Sequence, residues 1–142
     1  MFSKMKIKNL KLNKVNSIIG PELTIEGIVC LDAGTLKVAG RINGDITSIK
    51  AGKVDVTVVV EKDASVKSES IHVDNLVVVG AVKVKKLIVR NILAVMDGGN
   101  LICEDGSYKT LVVSENSAIN GNLKSQNEQP NLKNPQHLEA VA

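Results

Sequence analysis

The stretch that decides the fold is Leu36 to Ile46, which reads Leu-Lys-Val-Ala-Gly-Arg-Ile-Asn-Gly-Asp-Ile. Its branched aliphatic residues fall on even positions only, and the residues between them are small, polar or charged. This strict period of two predicts short strands that bury one face. Gly40 and Gly44 also take even positions, which indicates corners where the turning backbone leaves no room for a Cβ. The stretch is therefore predicted to form a strand, a corner and a second strand.

Glycine spacings indicate that this pattern recurs along the chain. Gly27 and Gly44 are 17 residues apart, Gly80 and Gly98 are 18 apart, and Gly44 to Gly80 spans twice 18. Alternating aliphatic residues accompany these spacings. A repeat of this length is too short for two helices and a turn, but it fits three short strands with corners. The sequence therefore predicts an all-β parallel solenoid of about six coils over residues 17–124.

The composition favours a thin, repetitive core. Hydrophobic residues make up 44% of the 142 residues, but aromatic residues only 1%, with no Trp, one Phe and one Tyr. Val, Ile and Leu stack well on their equivalents one coil away, whereas the irregular centre of a globular sandwich usually recruits rings. The scarcity of rings also argues against binding of single-stranded nucleic acid, which commonly stacks on aromatic side chains.

Cysteine usage and hydropathy predict a cytoplasmic protein. Cys30 and Cys103 form no CxxC pair, so a disulfide framework or a zinc site is not expected, and free thiols fit a reducing compartment. Apolar runs such as Leu76 to Val79 are far shorter than a membrane span, and residues 1–16 lack the apolar middle of a signal peptide. No motif for a cofactor is present, so none is predicted.

The amino-terminal segment differs in charge from the rest. Residues 1–16 contain five lysines and no acidic residue; the chain carries +3 in all, which leaves about −2 for the remainder. Apolar residues in this segment do not gather on one helical face, so we predict a flexible tail. Such a tail can bind an anionic membrane through Phe2, Lys4, Lys6 and Lys8, at about 1 kcal/mol per lysine and roughly 1.5–3 kcal/mol for the ring. The alternative is a solvated tail that aids solubility.

The flanks of the repeat carry no predicted cap. Solenoids normally cover their end coils with a helix or a polar repeat, because a bare coil exposes apolar side chains and unpaired backbone groups. Here the basic tail precedes the body, and residues 125–142 are polar, contain two prolines and are predicted to be disordered. We therefore predict end-to-end self-assembly through aliphatic residues of the first and last coils. These residues are Ile19, Ile25, Val113, Ile119 and Leu123.

Some aliphatic residues stand at outward positions. Val77 and Val79, and also Val59 and Val112, stand at outward positions beside inward aliphatic residues, and this predicts an apolar patch on the outside of the rod. The patch is a candidate lateral contact between filaments or a docking site, unless loops or tails cover it. The segment from Glu104 to Gly106 is polar and predicts a loop that interrupts the repeat.

Several stretches resemble the bactofilins, the bacterial polymer-forming cytoskeletal family. The resemblance lies in Ile19-Gly20-Pro21, Thr24-Ile25-Glu26-Gly27, Leu36 to Ile46, Asn120-Gly121-Asn122 and the Met1-Phe2-Ser3-Lys4 start. It implies a right-handed β-helix and nucleotide-independent, non-polar filaments at the cytoplasmic face of the inner membrane. It also implies a scaffold role for cell-wall enzymes and other envelope machinery, with no catalysis. Many members carry Phe in the last coil where this chain has Ile119.

The sequence leaves two other functions open. A solenoid acyltransferase would use hexapeptide repeats and a catalytic histidine, but glycine does not recur every six residues here. His72 has only Asp74 near it in sequence, and both residues are predicted to point outward. A nucleic-acid-binding module would use Lys83, Lys85, Lys86 and Arg90, against the acidic remainder of the chain. Both stay as alternatives to the cytoskeletal reading.

Overall fold

A computed structural model describes residues 15–49 and 54–126 of the chain. All helical or extended structure in these two ranges is β-strand, and the strands form one twelve-stranded sheet. In chain order the strands are β1 (Val15–Ile19), β2 (Thr24–Glu26), β3 (Val29–Leu31), β4 (Gly34–Val38), β5 (Arg41–Asn43), β6 (Ile46–Ser48), β7 (Val56–Val60), β8 (Ser65–Val78), β9 (Ala81–Val95), β10 (Asn100–Tyr108), β11 (Thr110–Val113) and β12 (Ala118–Ser125).

The sheet winds into a solenoid with three faces, and each turn contributes one strand segment to each face. The first face holds β1, β4, β7, the ends of β8 and β9, and β11. The second face holds β2, β5 and the beginnings of β8, β9, β10 and β12. The third face holds β3, β6, the middle parts of β8 and β9, and the ends of β10 and β12. All of these pairings are parallel, so the predicted parallel solenoid of about six turns is confirmed.

The register places like residues on like residues in the core. On the second face, one inward column contains Ile25, Ile42, Val66, Val82, Leu101 and Ile119. Its four inner members are at most 2% exposed. Full burial of such a side chain is worth roughly 1.5–3 kcal/mol, and β-branched residues pack well on equivalents about 4.8 Å away. A core in which Tyr108 is the one buried ring among the described residues is therefore stabilised mainly by repetition from turn to turn.

Glycines form the tight corners. A Cβ on Gly40 would overlap the carbonyl oxygens of Gly20 and Leu23, and one on Gly44 would overlap the carbonyl oxygen of Gly27. The backbone of one turn lies directly against the next at these corners. The prediction that Gly40 and Gly44 mark corners with no room for a side chain is confirmed.

The predicted loop from Glu104 to Gly106 is wrong. These residues lie inside β10, where Asp105 pairs with Lys86 and Gly106 pairs with Leu87. An irregularity in the pairing with β12, between Cys103 and Gly106, absorbs one residue. Polar side chains at this corner point away from the core, so they do not interrupt the backbone ladder.

The prediction that Asp74 points outward like His72 is also wrong. Asp74 is 5% exposed, next to an irregularity between Val73 and Asn75 that rotates the chain at a corner. Its Oδ2 accepts a hydrogen bond from the Val56 backbone N–H at 2.9 Å, and its Oδ1 accepts one from Arg90 Nε at 3.1 Å. A buried carboxylate needs such partners, and here they come from the turns on either side.

Candidate assembly surfaces

The first turn leaves an apolar layer partly open. Its strands β1, β2 and β3 pair only with the strands of the second turn, within the ranges that the structure describes. Ile19 is 8% exposed, and Ile25, Val29 and Leu31 are only partly buried. Ile42, the equivalent of Ile25 in the second turn, is fully buried. The first turn therefore presents free strand edges and aliphatic side chains in one plane.

The last turn shows the same pattern at the opposite end. β11 pairs only with β9, and β12 only with β10, among residues 15–49 and 54–126. Val113 is 38% exposed and Ile119 9%, while Leu111 and Leu123 pack on the core and stay partly buried. The exposed fraction rises because no further turn covers these side chains within the described residues.

The predicted assembly residues thus divide into two groups. Ile19 and Ile25 lie together in the first turn, and Val113, Ile119 and Leu123 lie together in the last turn. The two groups are separated by five inter-turn steps of about 4.8 Å, or roughly 24 Å. Sequence reasoning missed Val29 and Leu31 in the first turn and Leu111 in the last. The alternation that continues past Gly27 would have identified the first two.

An aliphatic row follows the outside of the first face. In register it runs Ile18, Lys37, Val59, Val77, Ala94 and Val112. We call this row the outer strip. Ile18 is 64% exposed, Val112 44% and Ala94 8%, while Val59 and Val77 are half-buried by their neighbours. Val77 thus lies in the strip, and Val79, half-buried, lies at the corner that follows it.

The charge in the strip is locally balanced. Lys37 Nζ lies 3.4 Å from Glu61 Oε2, and both side chains are partly exposed. The aliphatic stem of Lys37 covers its strand while the ammonium group meets the carboxylate at the edge. The strip is therefore nearly neutral along its length.

The four predicted basic residues lie elsewhere and do not form one cluster. Lys83 lies on the outer side of the second face, in register with Lys67 of the preceding turn. Lys85 and Lys86 lie at the corner between the second and third faces, and Arg90 lies at the next corner. Lys85 Nζ is 3.6 Å from Glu69 Oε2, and Lys86 pairs in register with Asp105. Arg90 is bound to Asp74. Because acidic side chains alternate with the basic ones from turn to turn, the corner gives no continuous basic stripe of the kind that follows a phosphate backbone.

His72 and Asp74 do not form a catalytic pair. His72 Nε2 is buried without a hydrogen-bond partner in the described ranges, between Thr47 and Ile88 on the third face. The Asp74 carboxylate is occupied by Val56 and Arg90. Nothing in this arrangement activates the imidazole as a base, so it does not support the acyltransferase reading.

Candidate metal sites and membrane-spanning helices are absent from the described part of the chain. It holds no group of three His, Cys, Asp or Glu side chains that could bind a metal ion. None of its segments forms a helix long and apolar enough to cross a membrane. The predicted membrane-contact residues Phe2, Lys4, Lys6 and Lys8 lie outside these ranges.

Comparison with known families gives a match over most of the chain. The family model described as Bactofilin, polymer-forming cytoskeletal, matches residues 17–124. The chain belongs to the bactofilin family. No match was found among curated proteins or among solved structures. The resemblance drawn from the residues is confirmed, and the bactofilin domain coincides with the solenoid whose two end turns are described above. The chain is therefore a polymer-forming cytoskeletal protein.

Proposed function

We propose that this bactofilin assembles end to end into filaments, without nucleotide, by continuing its parallel strand ladder from one copy to the next. The observation that supports this most directly is the exposure of inward aliphatic residues at both ends, with unpaired strand edges beside them. A second copy would bury Val113, which is 38% exposed, and would pair the free edge of β11. Burial of apolar area and completion of backbone pairing both favour association.

The glycine-rich corners give no phosphate site for a nucleotide switch. Gly98-Gly99 lacks the GxxxxGK[ST] context of a phosphate loop. We therefore expect the purified full-length chain at micromolar concentration to sediment as polymer, with filaments in negative stain, to the same extent with and without ATP or GTP. A protein that sediments only as monomer under these conditions would rule out the proposed function.

We propose that the basic amino-terminal segment attaches the polymer to the inner membrane. Residues 1–14 carry all five lysines of the tail, together with Phe2. One tail gives a weak and reversible anchor, but many tails on one filament bind together and raise the apparent affinity. Vesicles with anionic lipids should co-sediment with the full chain and not with a chain that starts at Val15. Equal binding of the two chains would contradict this role.

We propose that such membrane-bound filaments position cell-envelope machinery, including cell-wall enzymes. Support comes from family membership together with the outer surface of the solenoid, which a filament would repeat at regular intervals. Loss of the protein should delocalise sites of wall synthesis, and the full chain should restore them. The Val113→Glu variant, which carries a charge in its last turn, should not restore them if polymerisation is what positions the enzymes.

A further inference from the structure

We propose that the outer strip joins filaments side by side, with the outer strip of a second copy as its occupant. This inference rests on the end-to-end assembly proposed above. Four members of the strip, Val59, Val77, Ala94 and Val112, occupy successive turns with no charge between them. Outward positions of a free-standing sheet are usually polar, so a continuous aliphatic row on one of three faces indicates a contact surface.

The shape of the strip suits contact with a copy of itself. Ala94 is 8% exposed because it lies between the larger Val77 and Val112. The strip therefore has one shallow notch, at the alanine, with a valine on each side of it. Two such strips related by a two-fold axis can place a valine of each in the notch of the other, as in an isologous interface.

The area of the outer strip determines whether two isolated subunits, or only two filaments, can pair stably. Six turns at about 4.8 Å and one outward position of roughly 7 Å width give about 200 Å² per subunit. A stable complex between two proteins usually buries about 800 Å² on each partner. Two isolated subunits are therefore held too weakly. Two filaments, in which four aligned subunits already present about 800 Å², meet the requirement, so lateral pairing should depend on polymerisation.

Charge argues against an anionic membrane as the occupant. Lys37, the one cationic member of the strip, is paired with Glu61. The exposed lysines Lys83, Lys85 and Lys86 belong to the second face and its corner with the third face. A lipid surface would meet the strip without cationic side chains to attract it, whereas a second strip brings an equally neutral surface.

The test compares two single lysines introduced on different faces of the same turn. Val77→Lys places a charge in the strip, and Ala81→Lys places one on the exposed outer side of the second face. Low-speed sedimentation collects bundles, and high-speed sedimentation collects all filaments. We expect Val77→Lys to lower the low-speed pellet at least fivefold and to leave the high-speed pellet unchanged. Ala81→Lys should resemble the wild-type protein in both measurements. Raising NaCl to 0.5 M should not dissolve wild-type bundles, because salt does not weaken apolar contacts.

A second substitution covers the case in which Val77→Lys forms no filaments. Val77→Thr keeps the shape of the side chain and makes it polar, and we expect filaments with at least twofold less bundling. As a direct probe, Val77→Cys in a Cys30→Ser background should give a covalent dimer with a short bismaleimide when bundles are present. Ala81→Cys in the same background should not.

Each other outcome has a defined meaning. Wild-type filaments that do not bundle, Val77→Lys or Val77→Thr filaments that bundle like the wild type, or bundles that give no Val77→Cys dimer would overturn the strip proposal. A Val77→Lys effect on binding to anionic vesicles in place of bundling would also overturn it, and would assign the strip to the membrane. Absence of any high-speed pellet from the wild-type protein would instead contradict end-to-end assembly itself.

Discussion

Val95 and Val113 occupy the same inward position of the first face, one turn apart. Val95 is 0% exposed and Val113 is 38% exposed. The residues are chemically identical, so the difference comes only from their position: Val95 has a turn on each side, and Val113 has a turn on one side. This comparison shows that the end turns carry the same type of aliphatic residue at inward positions as the interior turns do. Within the described residues they lack only the next turn, which the proposed end-to-end assembly would supply.

A charge placed at the exposed inward position should have the largest effect on assembly. Val113→Glu would put a carboxylate into the contact between last turns, where desolvation costs several kcal/mol. At 1.4 kcal/mol per tenfold change, the concentration needed for polymer should rise by at least about 100-fold, measured by high-speed sedimentation. Thr110→Glu, on the exposed outer side of the same strand, is the matched control and should polymerise normally. Equal polymerisation of the two variants would show that the last turn takes no part in the contact.

Blocking one end at a time compares the two end turns with each other. Ile25→Glu alters the first turn, and Val113→Glu the last. The non-polar filaments that the family resemblance implies require first turns to meet first turns and last turns to meet last turns. Each single variant should therefore stop at a dimer, and the double variant should be monomeric, as measured by analytical ultracentrifugation. Monomers from either single variant would instead indicate that first turns bind last turns.

Hydrogen bonds between adjacent interior turns should contribute to the free energy of unfolding. Asp74→Ala leaves the Val56 N–H without its acceptor and Arg90 without its partner. We expect a loss of about 2–4 kcal/mol in the free energy of unfolding, measured with urea in the double Ile25→Glu/Val113→Glu background so that assembly does not contribute. Glu69→Ala, which breaks an exposed ion pair with Lys85, should cost less than about 1 kcal/mol. Similar costs for both would mean that Asp74 contributes no more than a surface carboxylate.

The sequence predicted the parts of the fold that depend on strict alternation. Leu36, Val38, Ile42 and Ile46 are all buried, as their even spacing indicates. The same rule failed at Asp74, because parity assumes an unbroken strand and the irregularity beside Asp74 turns its side chain inward. No local pattern signals that change, since the partners Val56 and Arg90 are 18 and 16 residues away in sequence.

The candidate assembly surfaces could be predicted from the sequence only in part, because pairing between turns brings some of their residues together. The aliphatic residues of the two end turns followed from inward parity. The outer strip was recognised only at isolated valines. Ala94 carries no hydrophobic signal of its own, and its place between Val77 and Val112 depends on register between turns. Register is set by corner lengths that vary along this chain, so the row becomes visible only in three dimensions.

The two cysteines give a direct measure of how firmly the last turn covers the interior. Cys30 in the first turn is exposed, whereas Cys103 is buried and pairs with Gly121 of the last turn. Burial, with further contributions from the charges of Asp105 and Glu104, raises the pKa of the Cys103 thiol to about 11. At pH 8 only about 0.1% of this thiol is then thiolate, the form that reacts.

Labelling with a thiol reagent at pH 8 should therefore be at least 100-fold slower at Cys103 than at Cys30. In urea both should react at similar rates, since the difference arises from folding. Polymer should slow Cys103 further relative to the Val113→Glu variant, because a copy bound to the last turn opposes the local opening that exposes the thiol. Cys30→Ser identifies which residue is labelled. If Cys103 reacted equally fast in polymer and in the variant, the bound copy would leave the stability of the last turn unchanged, contrary to a contact that completes its sheet.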